Sequence, residues 1–134
     1  MTVVLLTDDL MVASRVEGAA RRAGVALVTS SDVAGVASNC SERQVAQLIV
    51  DLSSRSVHIA TIIEQLGKTM ENRPPIVAFG PHVHDKLLAA AASAGCEQVV
   101  SRGQFFAELD AMFARLADSA AGPGQRDYDA PSGG

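Results

Sequence analysis

The stretch Val3-Val4-Leu5-Leu6-Thr7-Asp8-Asp9 decides the reading of this chain. An apolar run too short for a helix ends abruptly in two carboxylates. A run apolar at every position, and not at every second one, suits a strand buried on both faces, as in a parallel sheet. Four more such runs follow, at Val25–Thr29, Gln47–Asp51, Pro75–Phe79 and Glu97–Val100. Helix-length segments separate them. Leu10–Ala23 carries Val12, Val16, Ala19, Ala20 and Ala23 on one stripe. Ser56–Met70, Val83–Ala94 and Gln104–Ala117 show the same three-and-four spacing. In Val83–Ala94 the inward residues are expected to be Leu87, Leu88 and Ala91. The segment between the second and third runs is less regular: Asp32–Ala37 has apolar spacing over a short length, and Asn39–Gln44 is polar, so it reads as a frayed helix or a loop.

Punctuation agrees with these boundaries. Gly24 and Gly95 stand where left-handed end caps would close the first and fourth helices. Pro74-Pro75 ends a helix and opens a strand. Ser54 or Ser56 is expected to cap the third helix. Strand–helix alternation with right-handed crossovers gives a doubly wound α/β sandwich. The expected fold is flavodoxin-like (βα)5, a parallel five-stranded sheet in the order 2-1-3-4-5. The domain is expected over residues 1–117. Over 118–134, DSAAGPGQRDYDAPSGG breaks the apolar period and reads as a disordered tail.

Composition narrows the function. Of 134 residues 48% are hydrophobic, enough for a core, while aromatics are 4% and the net charge is −4. An acidic, aromatic-poor chain without a Lys/Arg cluster is not expected to bind nucleic acid or an anionic membrane surface. The first residues form neither a signal peptide nor a membrane span, so a cytoplasmic location is expected. Cys40 and Cys96 make no CxxC pair and read as reduced thiols. His82 and His84 form an HxH without a well-spaced third ligand, which reads as loop histidines.

Chemistry in an open parallel sheet gathers at the carboxyl ends of the strands. There the sequence places Asp8 and Asp9, then Asp51, then Gly80, then Ser101 and Arg102. Three carboxylates and a guanidinium at one switch point are the outline of a site for Mg2+ and a phosphoryl group. An aspartate on a rigid strand end can be the nucleophile toward a phosphoryl donor. No nucleophile–base pair is evident, so an enzyme with turnover is not expected.

VVLLTDD at Val3–Asp9, LIVDL at Leu48–Leu52, IVAFG at Ile76–Gly80 and AGCEQVVSR at Ala94–Arg102 together resemble the CheY-like receiver domains of two-component response regulators. The resemblance spans Thr2 to about Ala117. It implies that Asp8, Asp9 and Asp51 bind Mg2+ and that Asp51 accepts phosphate from a partner histidine kinase. It also exposes departures. The family's Thr or Ser at the end of the fourth strand is Gly80, and its Lys at the end of the fifth is Arg102. The aromatic switch position is Val99, and the loop after the acceptor is Ser53–His58. Losing one donor to a developing phosphoryl charge costs about 3–4 kcal/mol at an oxyanion-type site. Arg is planar and permanently charged, so it does not replace Lys conservatively in a compact site.

The sequence therefore reads as a stand-alone, pseudo-receiver-like signalling domain with an atypical phosphoacceptor site. It would act through protein–protein interaction, probing a kinase or downstream regulator, or through self-association on the Val83–Leu116 face. In this reading Arg102 pairs with Asp51 and holds it in one charge state. Two alternatives stand beside it: a phosphorylatable response regulator using Asp51 with Mg2+, and a small-molecule or metal-binding flavodoxin-like domain.

Overall fold

A computed structural model describes the backbone of residues 2–54 and 58–129, and the side chains of those residues except Thr69 and 120–129. Ten elements alternate along the chain: β1 Thr2–Leu6, α1 Leu10–Ala23, β2 Ala26–Ser30, α2 Val33–Glu42, β3 Val45–Asp51, α3 Ile59–Thr69, β4 Ile76–Gly80, α4 Asp85–Ala94, β5 Gln98–Ser101 and α5 Arg102–Asp129. All strand pairs are parallel and the order is β2-β1-β3-β4-β5, as expected.

The uninterrupted apolar runs are explained by a sheet covered on both faces. Val3, Leu5, Ile49, Val77 and Phe79 point to one side, where Val12, Val16 and Ala19 of α1 and Phe105, Leu109 and Phe113 of α5 close over them. Val4, Leu6, Leu48, Val50, Ile76 and Ala78 point to the other, against Val36 and Cys40 of α2, Ile62 and Leu66 of α3 and Ala91 of α4. With few aromatics in the chain, the Phe residues concentrate in the first layer. Phe79 stacks on Phe105 at 4.1 Å between centroids, and Phe106 meets both edge-on.

The ends of the helices follow local chemistry. Asp9 caps α1 by accepting from the N–H groups of Met11 and Val12, and Gly24 closes it at φ 73°. Gly95 closes α4 at φ 106°. Below the sheet Arg73 clasps the α4–β5 turn: it reaches Glu97 at 3.0 Å and the Gly95 carbonyl at 2.9 Å, and Glu97 also accepts from Ile76 N–H.

Three expectations are corrected. The irregular segment after β2 is a full helix, α2, because Asp32 caps it through Gly35 N–H at 2.7 Å and Val36 and Cys40 bury one turn apart. Gly35 sits close against the Ser30 hydroxyl, and a Cβ there would collide with it. α3 begins at Ile59 with His58 at the cap position and no side-chain cap; Ser54 is used elsewhere and Ser56 lies outside the described residues. In α4, Leu88 and Ala91 face inward, but Leu87 is 42% exposed. The backbone of α5 is helical as far as Asp129, into the stretch 118–134 that reads from sequence as a tail. Residues 130–134 of that tail lie outside the described residues.

Candidate functional site

The site lies at the carboxyl ends of β1 and β3. Register decides its membership. Leu6 pairs with Val50, so the next residue along each chain, Thr7 and Asp51, come side by side. Both are buried, at 3% and 1% exposure, and the Thr7 hydroxyl donates to Asp51 Oδ2 at 2.7 Å. On its other side Asp51 Oδ1 accepts from the Ser53 hydroxyl at 2.7 Å and from Ser53 N–H at 3.1 Å. All three donors are neutral, and all donate, which suits an ionised acceptor-only carboxylate. Burying such a group is tolerable because its oxygens are hydrogen-bonded.

A second ring of contacts fixes the first. Thr7 Oγ1 accepts from Asp9 N–H at 3.1 Å while donating to Asp51. The buried Ser54 hydroxyl accepts from Asp8 N–H at 3.0 Å, joining the β3–α3 turn to the β1–α1 turn. Ser54 N–H also donates to the Asp51 carbonyl at 3.2 Å. The two loops are thus sewn together over the carboxylate.

The acidic pair is placed differently from Asp51. Asp9 spends Oδ1 on the Met11 and Val12 N–H groups of α1. Its Oδ2 faces Arg102 Nη2 at 3.6 Å. The two capping N–H groups, and then Arg102, hold its carboxyl below the ordinary aspartate value. The Asp8 side chain is exposed. Among the described residues no three carboxylate, imidazole or thiol groups gather closely enough to hold a metal ion. That also covers the HxH of His82 and His84, both exposed.

Arg102 does not pair with Asp51 as expected. It opens α5, packs on the same face of the sheet as α1, and so meets the capping carboxylate of α1; Asp51 lies beneath, enclosed by Thr7 and Ser53. Phe106 sits under the Arg15 guanidinium at 3.9 Å, with Arg102 farther off at 5.7 Å. Gly80 is buried at the end of β4. A Cβ there would meet Leu52 at 3.5 Å, ordinary contact, so packing does not demand glycine. Val99 is partly buried and packed into the second core layer. Its side chain is core, and in register it pairs with Ala78.

Sequence reading missed Thr7 and the role of Ser53. The signal for Thr7 was present: a polar residue directly after an apolar run, as Asp51 follows Leu48–Val50.

No protein-family model matches the chain, and no curated protein sequence matches it. Solved structures do match its fold. The signal receiver domain of a response regulator from Bermanella marisrubri aligns with a TM-score of 0.73 and 18% identity, over 89% of this chain and 97% of that one. The receiver domain of a sensor histidine kinase from Pseudomonas aeruginosa, with a magnesium ion coordinated in its active-site cleft, aligns at 0.72 and 14% identity, over 87% and 96%. A structure described as FixJ-N aligns at 0.67 and 14%, over 85% and 93%. The chain has the receiver fold, with five parallel strands and five helices in the order those domains share.

Proposed function

We propose that this chain is a receiver-like signalling domain whose output is a protein–protein contact independent of phosphorylation at Asp51. The observation that carries the reading is the enclosure of Asp51, 1% exposed, with Thr7 on one oxygen and Ser53 on the other. A carboxylate acting as a nucleophile needs an oxygen open to in-line approach by the donor phosphorus. Here Oδ1 accepts two hydrogen bonds from Ser53 and Oδ2 one from Thr7, so the single remaining lone pair lies within a carboxyl group that is 1% exposed.

The surroundings support the same reading. Among the described residues no three carboxylate, imidazole or thiol groups stand ready to hold a cation. Gly80 supplies no hydroxyl to a phosphoryl oxygen, and the Arg102 charge is directed to Asp9. The contact surface in this reading is the Val83–Leu116 region. There Val83 is 70% exposed and Ala89, Ala90 and Ala92 form a small-residue surface on α4. The domain works by binding, without turnover.

Incubation of the full chain with acetyl phosphate and Mg2+, followed by intact-mass analysis, tests this. The expected result is no phosphoryl adduct in wild type. An adduct in wild type that disappears in Asp51→Asn would establish the phosphorylatable alternative instead.

A further inference from the structure

We infer that Thr7 is the residue that determines whether this crevice takes a divalent cation: its hydroxyl fills, from within the chain, the place beside Asp51 that a cation would occupy. The inference deepens the reading of Asp51 as a carboxylate enclosed by its own chain, and rests on it.

Three observations carry it. First, Thr7 is the residue at the end of β1 whose side chain touches Asp51, at 2.7 Å, with both groups more than nine-tenths buried. Second, the carboxylate of Asp9 is engaged elsewhere. Asp9 holds the first turn of α1 with one oxygen and faces Arg102 with the other. The Asp8 side chain is exposed, and its backbone N–H is fixed to Ser54. Third, the polarity of Thr7 is wrong for a cation. Its proton points at Asp51 and one lone pair receives Asp9 N–H, so a cation on Asp51 Oδ2 at that place would meet the hydroxyl hydrogen and have to displace it.

A carboxylate at position 7 reverses each of these terms. Its oxygens would stand about 3 Å from those of Asp51, close enough that the two cannot both stay ionised without compensation. A divalent cation with hard oxygen ligands supplies that compensation. Thr7 thus separates a crevice closed by neutral hydrogen bonds from one that requires a metal.

The test uses the full chain as wild type, Thr7→Asp, Thr7→Ala and the double variant Thr7→Asp/Asp51→Asn. Thermal unfolding is followed in EDTA and across Mg2+ and Mn2+ series at constant ionic strength, and Mn2+ binding is read directly by electron paramagnetic resonance. No phosphoryl compound is present, so failure here is distinct from adduct formation on wild-type Asp51.

The expected result is a wild-type Tm that does not respond to either ion. Thr7→Asp starts lower in EDTA and rises with the logarithm of cation concentration. Its Mn2+ affinity exceeds wild type by on the order of tenfold or more, the effect of an added carboxylate ligand. The double variant loses the gain. Wild type binding Mn2+ as tightly as Thr7→Asp would overturn the inference, as would a folded Thr7→Asp indifferent to cations. Should Thr7→Asp fail to fold in every condition, Thr7→Ala decides. It vacates the place beside Asp51 Oδ2, and Mn2+ binding above wild type supports the inference while binding equal to wild type overturns it.

Discussion

Replacing Thr7 by Val removes one hydroxyl and nearly nothing else, because the two side chains have almost the same volume. The Thr7–Asp51 hydrogen bond is 2.7 Å long, buried, and made to a carboxylate. Hydrogen bonds to charged groups contribute about 1.5–3 kcal/mol. The same substitution strips Asp9 N–H of its acceptor, a part-buried bond of 3.1 Å. With that second loss the expected destabilisation is about 2–4 kcal/mol. For a chain of this length each kcal/mol moves Tm by roughly 3 °C, so the variant should melt about 6–12 °C below wild type. Thr7→Ser is the control. It keeps the hydroxyl and loses one buried methyl, about 0.8 kcal/mol. Urea unfolding followed by far-UV circular dichroism gives both numbers, with equal m-values expected for the three proteins. If Thr7→Val proves as stable as Thr7→Ser, the hydroxyl is not holding Asp51 and the account of the site fails.

Other consequences are as direct. The Asp9 carboxyl is held low by Val12 and Met11 N–H and then by Arg102, so its stabilisation is present above the unfolded value of 3.8 and is lost as pH falls through the lower folded value. Acid unfolding should accordingly steepen below about pH 4, and Asp9→Asn should flatten that part of the curve; an unchanged acid limb would refute the assignment. Phe79→Ala empties the stack on Phe105 in the buried first layer and should cost about 3–5 kcal/mol in the same urea assay, against well under that for a mere surface change. The glycines should divide by backbone. Gly95→Ala, at φ 106°, is expected to lose about 1–2 kcal/mol, whereas Gly80→Ala meets only ordinary contacts and should stay within about 1 kcal/mol of wild type. Comparable losses at the two positions would contradict that division.

The fold was legible because its signals are local. Runs such as Val3–Leu6 and Ile76–Phe79 are apolar at every position, and Gly24 and Gly95 mark helix ends by backbone conformation alone. α2 was obscured because its polar face, Ser38 to Glu42, hides the Val36 and Cys40 pair that buries it. The candidate site was half legible. Asp51 and Gly80 close their strands and Arg102 follows the last one, placements that depend only on where each strand stops. Which of them touch is a matter of register and height, which composition does not carry. Thr7 reaches Asp51 because Leu6 lies opposite Val50, and Arg102 misses it because α5 starts on the side of the sheet where α1 presents Asp9. Ser53 joins the carboxylate through a turn whose geometry is set after β3 ends.

The most direct test of the central claim is a titration of the full chain with beryllofluoride and Mg2+ followed by amide NMR, on wild type and Asp51→Asn. Beryllofluoride on a carboxylate stands in for an acyl phosphate. The account predicts no saturable shifts at Thr7, Asp51, Ser53, Gly80 or Arg102 in either protein. Saturable shifts at those residues in wild type, absent from Asp51→Asn, would contradict it and make Asp51 a working acceptor.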